Sequence, residues 1–138
     1  MGNGAGPWKE RQAQMERWYH EMVTTDWAVA CVDADYAPLR TILSAYRGTV
    51  LDLGGGAGIA RRYLTSGVRY VVLDPSLMWL DPKWGKLANR NVQVIDAFPF
   101  VQGSGEALPF DDSTFDVVLA LWSLNHVIAP QQVFEEVR

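Results

Sequence analysis

Val50-Leu51-Asp52-Leu53-Gly54-Gly55-Gly56-Ala57-Gly58 is the stretch on which the fold turns. Thr49 to Leu53 is rich in β-branched and apolar residues, Gly48 ends the helical pattern before it, and Ile59 to Leu64 resumes with helix-compatible residues. A buried strand therefore runs through a glycine turn into a helix, within one βα unit. Glycines at 54, 56 and 58 allow positive φ and let a ligand approach the main chain where a Cβ would collide. A ligand held there meets backbone amides at a helix N-terminus.

The spacing narrows the ligand. A dinucleotide fingerprint, G-x-G-x-x-G, needs glycine at position 59, where this chain has Ile59; the motif present is G-x-G-x-G. No Gly-Lys-Ser/Thr follows, so the phosphate-cradling loop of nucleoside triphosphatases is excluded as well. Asp52, just ahead of the glycines, would repel a pyrophosphate but suits a cationic amino group. The implied ligand carries an ammonium group and no phosphates.

Working outward, a helix is predicted from Pro7 to about Thr24, with Trp8, Met15, Trp18, Tyr19 and Met22 on one face. Thr25 to Ala34 fits no single pattern. A second helix is expected from Asp35 or Tyr36 to Arg47, with Leu39, Ile42, Leu43 and Tyr46 inward and Gly48 as its stop. Then follow a strand at 49–53, a helix at 58–65, a strand at 69–73, a short helix at 76–80, strands near 98–102 and at 116–121, and a helix at 131–138. Asn91 to Ile95 also alternates, so the third strand lies there or at Phe98 to Gln102. This alternation predicts an α/β fold: a doubly wound, mostly parallel sheet with helices on both faces, preceded by N-terminal helices. Residues 1–47 form a helical cap segment in this scheme and 48–138 the ligand-binding domain.

The chain has 138 residues, 49% hydrophobic and 20% charged, which suits one globular domain. Its net charge is −4, and Arg61-Arg62 is its one adjacent basic pair, so no electrostatic footprint for nucleic acid exists. A lone Cys31 and the lack of any Cys/His cluster with zinc-ligand spacing imply a reducing, cytoplasmic setting and no structural metal, with Cys31 a small buried hydrophobe. Neither a signal-peptide pattern nor an apolar stretch long enough to span a bilayer is present, so no membrane partner is expected.

Four segments, in order, resemble the motifs of the class I S-adenosylmethionine-dependent methyltransferases, which have a Rossmann-like fold. Val50 to Gly58 resembles their first motif. Tyr70-Val71-Val72-Leu73-Asp74-Pro75-Ser76 resembles their second strand, with Asp74 lying 20 residues beyond Gly54. Gly105-Glu106-Ala107-Leu108-Pro109-Phe110, continuing to Ser113-Thr114-Phe115-Asp116-Val117-Val118, resembles the run into their fourth strand. Trp122-Ser123-Leu124-Asn125-His126-Val127 resembles the close of that strand. The resemblance implies S-adenosyl-L-methionine as cofactor and a small-molecule acceptor. Asp52, Gly54, Gly56 and Gly58 would surround the methionine end, Asp74 and Pro75 the ribose, and Ser104, Gly105 and Glu106 the adenine, with Leu77 or Met78 packing on the ring. Tyr19, from the segment before the first motif, would touch the methionine end.

Where relatives commonly carry Gly-Asp-Ala-Glu, this chain has Gly103-Ser104-Gly105-Glu106, so a hydroxyl replaces a carboxylate beside the adenine and makes a weaker hydrogen bond. His126 is the candidate catalytic base, with Asn125 as a possible orienter of the acceptor and His20 on a solvated face. Trp8, Trp18, Trp27 and Trp122 are the tryptophans able to reach the pocket, which hints at a flat apolar acceptor.

Phe134-Glu135-Glu136-Val137-Arg138 resembles the helix before the fifth strand of the family, and the strands beyond it are not in this chain. The expected sheet has the order 3-2-1-4, with Asp116 to Trp122 a long, apolar, unpaired edge open to self-association. A fragment of a longer enzyme, a short chain completed by self-association, and a non-catalytic cofactor-binding or protein-interaction remnant are the three explanations. Aminopropyl transfer on the same fold would call for extra carboxylates near the fourth strand, and Asn125-His126 offers none.

Overall fold

The structure, a computed structural model, describes residues 5–22, 26–81 and 98–138. Its frame is a parallel sheet of four strands, β1 (Thr49–Leu53), β2 (Arg69–Asp74), β3 (Phe100–Gln102) and β4 (Val117–Leu119), in the order β3-β2-β1-β4. Val50 sits opposite Tyr70 on one side and Val117 on the other, while Val72 sits opposite Phe100. This is the predicted topology, with the third strand at Phe100–Gln102; the alternative at Asn91 to Ile95 lies outside the described residues.

Both sheet faces are covered, as parallel strands require. Side chains alternate along β1. Val50 joins a core with Tyr36, Leu43, Ala60, Leu64, Val68, Tyr70, Val72 and Leu119 on one face. Leu51 and Leu53 join Leu73 and Val133 on the other. The first face is covered by the helices α2 (Asp26–Tyr36) and α3 (Arg40–Ala45), the second by α4 (Pro130–Glu136). α1 (Ala5–Met22) comes before them.

Several local expectations change. The ambiguous stretch before Asp35 is helical, and the helix expected from Asp35 or Tyr36 to Arg47 is two pieces separated by a 3-10 turn at Ala37–Leu39. Pro38 stands in that turn, where its missing N–H and its ring interrupt the α-helical ladder. α3 stops at Ala45 because Tyr46 is already extended, so Gly48, at φ +80°, belongs to the link into β1 and is no helix stop. Ile42, one residue away from buried Leu43 and therefore about 100° around the helix, is 55% exposed. The helices expected at 58–65 and 76–80 are single 3-10 turns, Ile59–Tyr63 and Leu77–Leu80, each ended by an extended residue. β4 spans only Val117–Leu119, because Trp122 turns the chain with φ +57°; the expected long edge is a short one. Cys31 is half-buried instead of buried.

Among the described residues, no helix is long and apolar enough to cross a membrane.

Candidate functional site

Strand order reverses between β1 and β4, and in open α/β sheets the crevice at the carboxyl ends of such strands is where ligands bind. A cavity of about 350 Å³ opens there. Its floor is the glycine loop and the end of β2, its sides are the segments after β3 and β4, and its cover is α1.

The loop geometry explains the glycines. Gly54 has φ +64°, and a Cβ on it would lie 2.5 Å from Cβ of Ser123, so only hydrogen lets the loop close against the end of β4. Its amide donates to the Leu73 carbonyl at 2.7 Å, tying the loop to β2. Gly58, at φ +76°, would drive a Cβ to 2.1 Å from the Phe98 ring. Gly54 and Gly56 line the cavity, whereas Gly58 faces the Phe98 ring and does not.

Asp74 ends β2 on the cavity wall, only 6% exposed. One of its oxygens accepts from the Gly56 amide at 3.1 Å and the other from the Ser76 amide at 2.9 Å. Burial pushes its carboxyl up to about 6 against the pull of those bonds, and the charge of Glu16 adds to the rise. The Trp79 side chain donates to the same carboxylate, so three donors are already held and acceptor capacity for about one more remains. Pro75, Ser76 and Met78 follow on the same wall. Leu77 is 51% exposed and off the wall, so of the two candidates Met78 is the one presented.

Ser104, Gly105 and Glu106 also line the cavity, just after Gly103, whose amide donates to the Asp74 carbonyl. Glu106 accepts hydrogen bonds from the Ile128 amide at 2.8 Å, the Ala129 amide at 3.3 Å and the Ser104 hydroxyl. Burial alone would raise its carboxyl, yet these donors together hold it below the usual carboxylate value. Glu106 thus staples the loop that leads into α4, a role its place in the motif does not disclose.

α1 presents Trp8, Gln12, Met15, Glu16 and Tyr19 to the cavity, a stripe at helical spacing. Tyr19 packs edge-on against Trp79 with ring centroids 4.9 Å apart, and the Ser76 hydroxyl donates to Glu16. Burial, with the Asp74 charge adding, raises the Tyr19 phenol. Trp18 and Trp122 border the cavity while remaining about half exposed; the Trp27 side chain lies outside the described residues. His126, on the 3-10 turn Leu124–His126 after β4, lines the cavity, whereas Asn125 and His20 are exposed and off the wall.

Asp52 is the other expected contact that the wall excludes. It is 1% exposed, on the face of β1 that carries Val50, and the Tyr70 hydroxyl donates to it at 2.5 Å. Burial pushes its carboxyl up to about 7, opposed by the Tyr70 bond and aided by the Asp74 charge.

Glu16, Ser76, Trp79 and Ser123 were not foreseen as site residues. A signal for Glu16 exists in the sequence: it is a carboxylate set within the apolar stripe of Trp8, Met15 and Tyr19. Across the described wall stand four carboxylates, Glu16, Asp35, Asp74 and Glu106, and no lysine or arginine. Among the described residues no group of three or more His, Cys, Asp or Glu is placed to hold a metal.

Residues 51–138 match the family described as methyltransferase domain. An uncharacterised methyltransferase of Mycobacterium avium is 39% identical over 95 residues, which are 67% of this chain and 35% of that protein. A ubiquinone/menaquinone biosynthesis C-methyltransferase of an Enterobacter species is 38% identical over 84 residues, 57% of this chain and 32% of that protein. A solved Pyrococcus horikoshii structure superposes with a TM-score of 0.64 at 26% identity, covering 88% of this chain and 55% of that one. The chain spans about a third of the length of these curated relatives. With the sheet order, the glycine loop and the strand-end carboxylate already in place, these matches establish that the chain belongs to the methyltransferase domain family, in the class I S-adenosylmethionine-dependent fold.

Proposed function

We propose that this chain holds S-adenosyl-L-methionine in the cavity between β1 and β4 and directs its methyl group to a small-molecule acceptor. The charge of the wall carries this reading. A sulfonium and an ammonium are cations, and the described wall offers four carboxylates and no lysine or arginine to repel them. The residues fit the rest of the cofactor too: Asp74 keeps acceptor capacity for a ribose hydroxyl, Met78 offers a polarisable apolar surface to a flat ring, and Ser104 offers a polar contact at its edge. A volume of about 350 Å³ is within the range of small-ligand sites.

When bound, S-adenosyl-L-methionine supplies a methyl group already activated on sulfur. The chain contributes placement. Gly54 and Gly56 bring backbone within reach of the ligand, Tyr19 and the rest of the α1 stripe exclude water from above, and Trp122 gives the acceptor a flat apolar surface. In this reading His126, half-buried on the wall, takes a proton from a hydroxyl or protonated amine acceptor.

Calorimetric titration of S-adenosyl-L-methionine into the chain tests this reading, with Asp74→Ala as the contrast. Binding by the wild type, weakened in the variant by about 1.5–3 kcal/mol, is the expected result, since the hydrogen bonds lost are to a charged group. His126→Ala should bind the cofactor like the wild type and lose turnover. A folded wild-type sample that takes up no cofactor at millimolar concentration sinks the proposal.

A further inference from the structure

Beneath the cavity floor lies a pair of buried polar groups that the cofactor contacts do not account for. Tyr70 is 3% exposed and Asp52 1%, and the hydroxyl-to-carboxylate bond joins them across β1 and β2 on the face where Val50 pairs with Tyr70 and Asp52 with Val72. A buried carboxyl is expensive, and apolar residues of similar volume commonly serve a core as well or better. The pair touches the glycine loop directly. A Cβ on Gly55 would lie 2.6 Å from the Asp52 carboxyl carbon, so the main chain at Gly55 rests on that carboxyl. The Tyr70 ring meets Phe98 edge-on, with centroids 5.0 Å apart, and the Phe98 ring occupies the space beside Gly58. Two contacts, at Gly55 and Gly58, thus seat the loop on one shelf.

We infer that Tyr70 is a positioning residue for cofactor binding, its hydroxyl fixing the Asp52 carboxylate beneath Gly55 so that the loop lies over a negative charge aimed at the cationic amino-acid end of the ligand. The inference rests on the cofactor reading above. It assigns Asp52 a different place from the direct contact expected of it: the charge acts through one layer of glycine backbone. In so dry a setting that charge is poorly screened. Facing the carboxyl are Tyr70 and Asp74 from β2 and Tyr36 from α2, with Arg61 near Tyr70. Of these, Tyr70 is the group hydrogen-bonded to Asp52, and its bond favours the ionised form.

Tyr70→Phe keeps the ring against Phe98 and removes only the donor. Binding of S-adenosyl-L-methionine is measured by calorimetry from about pH 5 to about pH 9, alongside thermal unfolding. Wild-type affinity should fall on the acid side as Asp52 takes up a proton, above a lower limb from Asp74 that both proteins share. In Tyr70→Phe the Asp52 limb should lie roughly one pH unit higher, because the bond favouring the carboxylate is gone, and affinity at neutral pH should drop roughly five-fold. A packing role alone would lower the melting temperature and leave the limb where it was; that outcome overturns the inference, as does unchanged affinity. If Tyr70→Phe fails to fold, Asp52→Asn carries the same test: the Asp52 limb should vanish, and its persistence overturns the inference. No cofactor uptake by the wild type at any pH overturns the cofactor reading and this assignment together, whereas wild-type binding without an Asp52 limb overturns this assignment alone.

Discussion

The floor and the cover of the cavity are built on different principles. The floor is made of backbone: the Gly54 amide on the Leu73 carbonyl, the Gly56 and Ser76 amides on Asp74, and strands buried on both faces beneath. The cover, α1, is held by side chains, among them Glu16 accepting from the Ser76 hydroxyl and Tyr19 packed against Trp79 and the apolar cluster around Ala57. The face of α1 away from the cavity, with Arg11, Gln14 and Arg17, is exposed. A floor of this kind is coupled to the global fold, while a cover held by a few side-chain contacts is able to detach at little cost to it. The site therefore combines a floor tied to the sheet by backbone with a cover held by side chains.

The largest expected effect concerns the floor and follows from its two buried carboxyls. Asp74 and Asp52 are pushed up to about 6 and about 7, so the folded chain keeps protons that the unfolded chain has already released. Their contribution to stability is fully present below about pH 4 and is lost as pH rises through those values, at up to about 1.4 kcal/mol per pH unit for each group. Glu106, held below the usual value, acts in the opposite sense at the acid end. Urea unfolding of the ligand-free chain across this range should show stability falling toward neutrality, and Asp52→Asn should flatten the upper part of the curve. A curve that rises from pH 5 to pH 7 would mean that the two carboxyls are not the dry groups described.

Next in size is Gly58→Ala, which attacks the floor without touching the cavity wall. Left-handed backbone costs a non-glycine residue about 1–2 kcal/mol, and the new methyl meets the Phe98 ring, adding about 1–3 kcal/mol of overpacking. A loss near 3 kcal/mol in denaturant unfolding is expected; a loss below about 0.5 kcal/mol would show that the loop is softer than its contacts imply.

The smallest effect should come from the cover. Glu16→Gln leaves a weaker acceptor for the Ser76 hydroxyl, so global stability should move by less than about 0.5 kcal/mol, while cofactor affinity drops a few-fold, about 1 kcal/mol. If this variant instead lowers global stability as much as Gly58→Ala does, α1 belongs to the fold and the contrast between floor and cover collapses.

Much of the floor was legible in the chain itself. The run from Thr49 to Gly58 encodes a strand, a glycine turn and a change of period, all of them local signals, and the acidic end of the next strand follows at a fixed distance, so the strand-loop-strand succession and the place of Asp74 could be read directly, while the sheet order came with the family resemblance. Helix type and length were less legible. Pro38 and the left-handed Trp122 cut α2, α3 and β4 to lengths set by neighbours, and short 3-10 turns share their residue preferences with α-helices. Asp52 shows where local reading stops. Its position beside the glycines speaks of a ligand contact, but alternation along β1 turns it away from the wall, toward a tyrosine 18 residues on. The sequence by itself determined the succession of strands along the chain, the loop and the acidic strand end, because these depend on residues near one another in the chain. Only the tertiary structure decided that Tyr70 meets Asp52, that Glu16 reaches Ser76 across 60 residues and that Glu106 staples the approach to α4, because such pairings depend on which faces the packed sheet brings together.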